Sequence, residues 1–304
     1  MPNVTANGIK IEYETIGNPS SPPLLLIMGL GGQLIHWDDD FCRQLAGKGL
    51  RVIRYDNRDT GLSTKFEAAG LPDFSQVANA LMQGQSIEAP YSLNDMAEDA
   101  LGLLEALGID KAHICGCSMG GMIAQSFAIR HPHRILSLIS IYSTTGNPDL
   151  PSPQPAGLEA LMTPPPIERE AYIEYNVKTM QAIAGSGFAF DAQFIRNISA
   201  RSYDRAFYPQ GVGRQMMAVM AQENRKPALA SVIVPTLVIH GTADPLVPPA
   251  HGQDTADAIP DAQLMLIEGM GHDLPSVKGP WPQIIDAIAA HTKGAGAMGN
   301  NINR

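Results

Sequence analysis

The 304-residue chain has no apolar run approaching the roughly 18 residues that a membrane-spanning helix needs. A helical membrane protein is not expected. Its first thirty residues lack a basic start followed by an apolar core and a small-residue cleavage site, so no export signal is expected either. Cysteine is scarce. Cys42, Cys115 and Cys117 are odd in number, and the last two stand too close in one strand to bridge each other. They read as small buried hydrophobes in a protein of the reducing cytoplasm. Basic residues are also in deficit, with Lys+Arg 21 against Asp+Glu 30 and a net charge of -9. That balance leaves no footprint for nucleic acid or an anionic membrane. No Cys or His pair has ligand spacing with matching partners, and no G-x-G-x-x-G follows a strand. Neither a metal nor a dinucleotide cofactor is expected. No internal repeat is present.

A 44% hydrophobic content can bury a large core, and the pattern of runs gives that core an alternating form. Ile9 to Thr15 alternates as a strand, with the turn-rich Gly17 to Pro23 expected to close an edge hairpin. Leu24-Leu25-Leu26-Ile27-Met28 is a strand buried on both faces, which stops at Gly29-Leu30-Gly31-Gly32. Trp37 and Phe41 to Leu45 open a helix that Gly47 and Gly49 end. Arg51 to Tyr55 is a further strand, followed by a polar turn in which Asp56, Arg58 and Ser63 are read as fixing loop geometry. Residues 64–91 are expected to form a surface excursion bordering the entrance to a site. Ser92 to Asp95 reads as a capping box, opening an apolar stripe from Leu93 to Leu107.

The next stretch, His113-Ile-Cys-Gly-Cys-Ser118-Met-Gly-Gly121, runs from a β-type segment directly into helical spacing that lasts until Pro132. A turn that tight strains the residue at its apex and leaves no room for a Cβ two positions to either side, which accounts for Gly116 and Gly120. Ser118 is thereby held above the end of a strand, as in a nucleophile elbow. After another β-run from Ile135 to Tyr142 the composition changes. Residues 143–231 carry proline clusters and several methionines, and are expected to be an inserted helical cap within a core formed by residues 1–142 and 232–293. Met162, Met180, Met216, Met217 and Met220 read either as ordinary helical core, the simpler view, or as the wall of an adaptable cavity. Trp37, Met162 and Met216 are the candidates for that wall. Strand-and-helix alternation resumes at Val232, and residues 294–304 are expected to be a flexible tail.

Alternation of this kind predicts a parallel sheet with helices on both faces and a site at the carboxyl ends of its strands. Ser118, Asp244 and His272 each follow a β-run, in the order nucleophile, acid, base. A serine hydroxyl is a poor nucleophile near neutral pH until an imidazole takes its proton, and that imidazole needs an acceptor to fix its tautomer. Asp149, after the preceding strand, is the competitor for the acid. The backbone N–H groups of Leu30 and Met119 are the candidates for binding a developing oxyanion.

The segments Met28 to Gly31, Tyr55 to Ser63, Gly116 to Gly121, His240 to Pro245 and Gly269 to His272 together resemble the α/β-hydrolase superfamily over nearly the whole chain. The similarity is greatest to capped bacterial esterases of the aclacinomycin methylesterase type. This resemblance implies an α/β-hydrolase fold and a cofactor-free serine carboxylic ester hydrolase acting on a small to medium, moderately apolar ester. It also implies two alternatives with the same three residues, acyl transfer and a haloperoxidase or perhydrolase reaction, while a non-catalytic ligand-binding protein remains a third reading of the fold. Many relatives have His-Gly where this chain has Met28-Gly29. The related dehalogenases and epoxide hydrolases use a carboxylate where Ser118 stands.

Overall fold

The computed structural model describes residues 2–83, 85–273 and 279–302, with the side chains of 78, 80–82 and 296–302 outside the description. The strands are β1 (Asn3–Ala6), β2 (Ile9–Ile16), β3 (Pro23–Ile27), β4 (Arg51–Tyr55), β5 (Ala112–Cys117), β6 (Ile135–Ile141), β7 (Thr236–Gly241) and β8 (Gln263–Ile267). Among the described residues they form one eight-stranded sheet in the order β1-β2-β4-β3-β5-β6-β7-β8. The pairs β1/β2 and β2/β4 are antiparallel, and every other neighbouring pair is parallel. The chain starts winding outward in one direction at β3 and in the other at β5, so the carboxyl ends of β3 and β5 lie side by side at the switch.

Period-two alternation assigns the side chains of each central strand to two cores. Leu25 and Ile27 pack on one face with α3 (Leu93–Ala106) and α4 (Met119–Arg130); Leu24, Leu26 and Met28 pack on the other with α1 (Asp39–Gly47) and α11 (Trp281–Ile302). Leu24, Leu25 and Leu26 are wholly buried, each contributing about 2 kcal/mol of transfer free energy. Cys42, Cys115 and Cys117 are free thiols in the second core, as their apolar setting in the sequence suggests. Ser92 closes the expected capping box: its Oγ accepts from the Asp95 amide at 3.1 Å while its own amide donates to the Asp95 carboxylate at 2.7 Å.

Seven further α-helices are present among the described residues, five of them between β6 and β7. α2 (Phe74–Met82) lies in the excursion between β4 and α3, and α10 (Ala250–Ala258) joins β7 to β8. Between β6 and β7 come α5 (Pro155–Met162), α6 (Arg169–Ile183), α7 (Ala192–Ala206), α8 (Pro209–Met220) and the short α9 (Lys226–Leu229). No helix among the described residues is long and apolar enough to cross a membrane.

The structure corrects three local expectations. The edge hairpin is β1/β2, turned at Asn7 and Gly8, both at positive φ (48° and 75°), a two-residue type I′ geometry that suits Asn-Gly. Gly17 to Pro22 instead leads across to β3, because β4 pairs between β2 and β3. Trp37 precedes α1, whose N-terminus is capped by Asp38, and its indole is fully buried against Phe41 in the second core rather than at a pocket wall. Finally, α11 continues past Gly294 to Ile302, where alternating Ala and Gly keep helical geometry; residues 303–304 of the expected tail lie outside the description.

Candidate functional site

Ser118 sits at the β5–α4 junction with φ 53° and ψ −122°, a conformation that costs an L-residue about 1–3 kcal/mol. Its surroundings over-determine it. The Ser118 amide donates to the Ile141 carbonyl at 2.9 Å, and its carbonyl accepts from Gly121 N–H and the Ser143 hydroxyl at 2.9 and 2.8 Å. A Cβ on Gly116 would overlap the Gly120 backbone, and one on Gly120 would overlap the Ile27 carbonyl. The glycines are therefore there for the reason read from the sequence.

Asp244 and His272 reach the same rim from the loops after β7 and β8. His272 Nε2 lies 2.9 Å from Ser118 Oγ, and His272 Nδ1 lies 2.7 Å from Asp244 Oδ2. Asp244 is wholly buried, and its other oxygen accepts from the Leu246 and Val247 amides at 2.9 and 2.8 Å. Burial works to raise the Asp244 carboxyl, but the attraction of His272 and the hydrogen bonds outweigh it and hold the group well below the usual carboxylate range. Asp149, the competing acid, is exposed in the loop after β6. The loop that carries His272 is clasped from the insertion: the His272 amide donates to the Ile183 carbonyl and Gly187 N–H to the Gly269 carbonyl, each at 2.8 Å. Gly185 and Gly187 pack backbone to backbone against Gly269 and Gly271, with no space for a side chain between them.

Two neighbours escaped the sequence reading. Tyr142, at φ 36°, lays its ring 4.6 Å from the His272 imidazole; as the last residue of an apolar β-run it gave no signal. His240 is fully buried with Nε2 2.8 Å from the Val247 carbonyl and 3.6 Å from Asp244 Oδ2, so a second imidazole stands behind the acid.

Asp273, next to His272, is pushed up to about 7, first by burial and further by the Asp244 charge, against the attraction of His272. Its folded-state value thus lies above the ordinary 3.8, so the folded protein holds a proton that the unfolded chain gives up as pH rises above about 4. Stability is lost between about pH 4 and 7, by as much as roughly 4 kcal/mol before relaxation. Asp273→Asn removes that loss, so the difference in unfolding free energy, variant minus wild type, grows from pH 4 to pH 8 in denaturant titrations. A pH-independent difference would place the titrating group elsewhere.

The proposed amide donors flank the serine. Met119 opens α4, where the first amides of a helix have no partner within it. Gly29 approaches so closely that a Cβ there would lie 3.2 Å from Ser118 Cβ and 3.7 Å from its Oγ. Asn57 Nδ2 donates to the Met28 carbonyl at 2.9 Å, and Asp56 Oδ1 accepts from the Leu34 amide at 2.7 Å, so the polar turn after β4 does fix loop geometry. Of the pocket candidates, Met216 is buried on α8 and Met162 is 51% exposed at the end of α5. Two clefts, of about 250 and 410 Å³, lie between the 67–88 segment and α8, and Met217 lines the larger. Neither has Ser118 or His272 in its lining.

A family model described as alpha/beta hydrolase fold matches residues 22–278. Rhodomycin D methylesterase DauP of a Streptomyces species is 31% identical over 313 residues, covering 96% of this chain and 98% of that protein. Among solved structures, the enol-lactonase from Burkholderia xenovorans superposes with a TM-score of 0.66 at 21% identity, covering 97% of this chain and 99% of that one. A meta-cleavage product hydrolase from Pseudomonas fluorescens gives 0.69 at 21% identity, covering 99% and 98%. With the sheet order and the strand-end geometry above, these matches establish that the chain belongs to the α/β hydrolase fold family.

Proposed function

We propose that the protein is a serine carboxylic ester hydrolase working through an acyl-enzyme. The observation that carries this reading is the continuous line Ser118 Oγ, His272, Asp244, with spacings of 2.9 and 2.7 Å. Ser118 Oγ attacks the ester carbonyl while His272 Nε2 takes its proton, and Asp244 holds the Nδ1–H tautomer and stabilises the imidazolium. The Leu30 and Met119 amides receive the oxyanion, each donor contributing about 3 kcal/mol to the transition state. The imidazolium then protonates the leaving alcohol, and water activated by the same imidazole releases the acid. The 31% identity to a methylesterase favours an ester with a small alcohol part. Residues 143–231 act as the cap over this site, a role supported by the contacts of α8 with the Gly29–Gly32 loop and of residues 183–187 with the histidine loop. Three free, buried cysteines favour a cytoplasmic setting.

Pre-steady-state hydrolysis of p-nitrophenyl butyrate is expected to release a burst of nitrophenol equal to the enzyme concentration. Quenching in acid is expected to leave a butyryl adduct on the peptide containing Ser118. An adduct on another residue, or none with turnover intact, would remove the reading.

A further inference from the structure

The Gly29–Leu30–Gly31–Gly32 segment is a hydrogen-bonded turn, Gly32 N–H donating to the Gly29 carbonyl at 3.2 Å. Gly31, its third residue, has φ +67°, and Leu30 is not at positive φ, which together make it a type II turn. Types I and II differ by a flip of the central peptide, here the one joining Leu30 to Gly31. Glycine in the third position suits the type II form, and contacts outside the turn hold that form in place.

The N–H of that central peptide donates at 2.8 Å to Oε1 of Gln215, on α8. Gln215 is wholly buried, and its Nε2 spends both hydrogens, on the Arg58 carbonyl at 2.8 Å and on Thr60 Oγ1 at 2.7 Å. The amide therefore has one possible orientation, with its oxygen toward Gly31. The helix that carries it is anchored without it: Arg214 grips Asp59 through two nitrogens, each at 2.8 Å, and Gly211 packs directly on the Asp59 backbone. Val212 fills the space a Gly31 side chain would need.

We propose that Gln215 is a positioning residue for the oxyanion site: by holding Gly31 N–H from α8 it pins the turn, and with it the place of Leu30, whose own N–H lies in the preceding Gly29–Leu30 peptide and faces the reacting carbonyl. This rests on the serine-hydrolase reading above. It also assigns a task to the insertion beyond covering substrate, since a residue 184 positions along the chain completes the electrostatics of the loop after β3.

The test compares Gln215→Met, which keeps shape but loses the acceptor, with Gln215→Glu, which keeps the acceptor at the cost of a buried charge. Rates are normalised to active sites counted with a fluorophosphonate. Gln215→Met is expected to lower kcat by about 30- to 100-fold with KM within about threefold, part of the loss seen when an oxyanion donor is removed outright. A boronic acid, which forms a tetrahedral adduct on serine, should bind more weakly by a similar factor. Gln215→Glu is expected to unfold at a lower temperature than Gln215→Met yet to be the more active of the two, an inversion that a purely structural role does not produce. Activity that ranks with stability, or a kcat for Gln215→Met within threefold of wild type, would overturn the proposal. The parent reading fails separately, through full activity in Ser118→Ala.

Discussion

His272→Gln and Ser118→Ala are each expected to lower kcat by about 10⁵- to 10⁶-fold, and the double variant is expected to fall no further. The reason lies in how the line of groups works. Without the imidazole the hydroxyl keeps its proton at the moment of attack, and without the hydroxyl the imidazole has nothing to activate. What survives either loss is binding and the proposed pair of backbone donors, which together should still exceed the solvent reaction by about 10³- to 10⁴-fold. Measured on a p-nitrophenyl ester at saturating substrate, the two single variants and the double should therefore meet at one residual rate. Additive losses would mean that serine and histidine act in separate steps. Ser118→Ala should leave the unfolding midpoint close to wild type, whereas His272→Gln, which takes the imidazole from the buried Asp244, should lower it.

Gly120→Ala is expected to cost at least about 3 kcal/mol of stability, a large loss for the addition of a single methyl group. The new Cβ would overlap the carbonyls of Ile27 and Met28, which belong to the end of β3 and to the loop that follows it. Backbone cannot rotate away as a side-chain tip can, so α4 must lift from the sheet and carry Ser118 with it. Loss of activity should accompany loss of stability. Gly47→Ala in α1 supplies the contrast, because no atom lies within 4 Å of its new methyl and the backbone there is not left-handed. It is expected to be neutral or to stabilise by about 0.5 kcal/mol, helix propensity being the only thing that changes. Urea unfolding of the two variants beside wild type checks both expectations, and equal losses would show that crowding at the elbow is not the cause.

Much of this architecture could be read from residue order alone, and the reason is local. Buried parallel strands leave uninterrupted apolar runs such as Leu24 to Met28, and a strand-to-helix elbow leaves glycines at fixed offsets from Ser118. The three residues at the rim were legible because each follows such a run. The first hairpin was legible too, through Asn7-Gly8, but the proline-rich stretch after Gly17 gave the louder turn signal. Other features had no local trace. Trp37 and Met216 have the same composition in a pocket wall as in a core, and only the arrangement of α1, α8 and α11 decides between them. Tyr142 and Gln215 act through partners 130 and 184 positions away, a relation that periodicity cannot carry.

The glycine clasp between residues 183–187 and 269–271 constrains how a reactant gets in. If the helices between β6 and β7 were to swing outward as a door, they would tear two main-chain bonds from the very segment that seats the imidazole, and the enzyme would disarm itself each time it opened. Traffic to the serine is thus better served by an opening that leaves these two bonds intact.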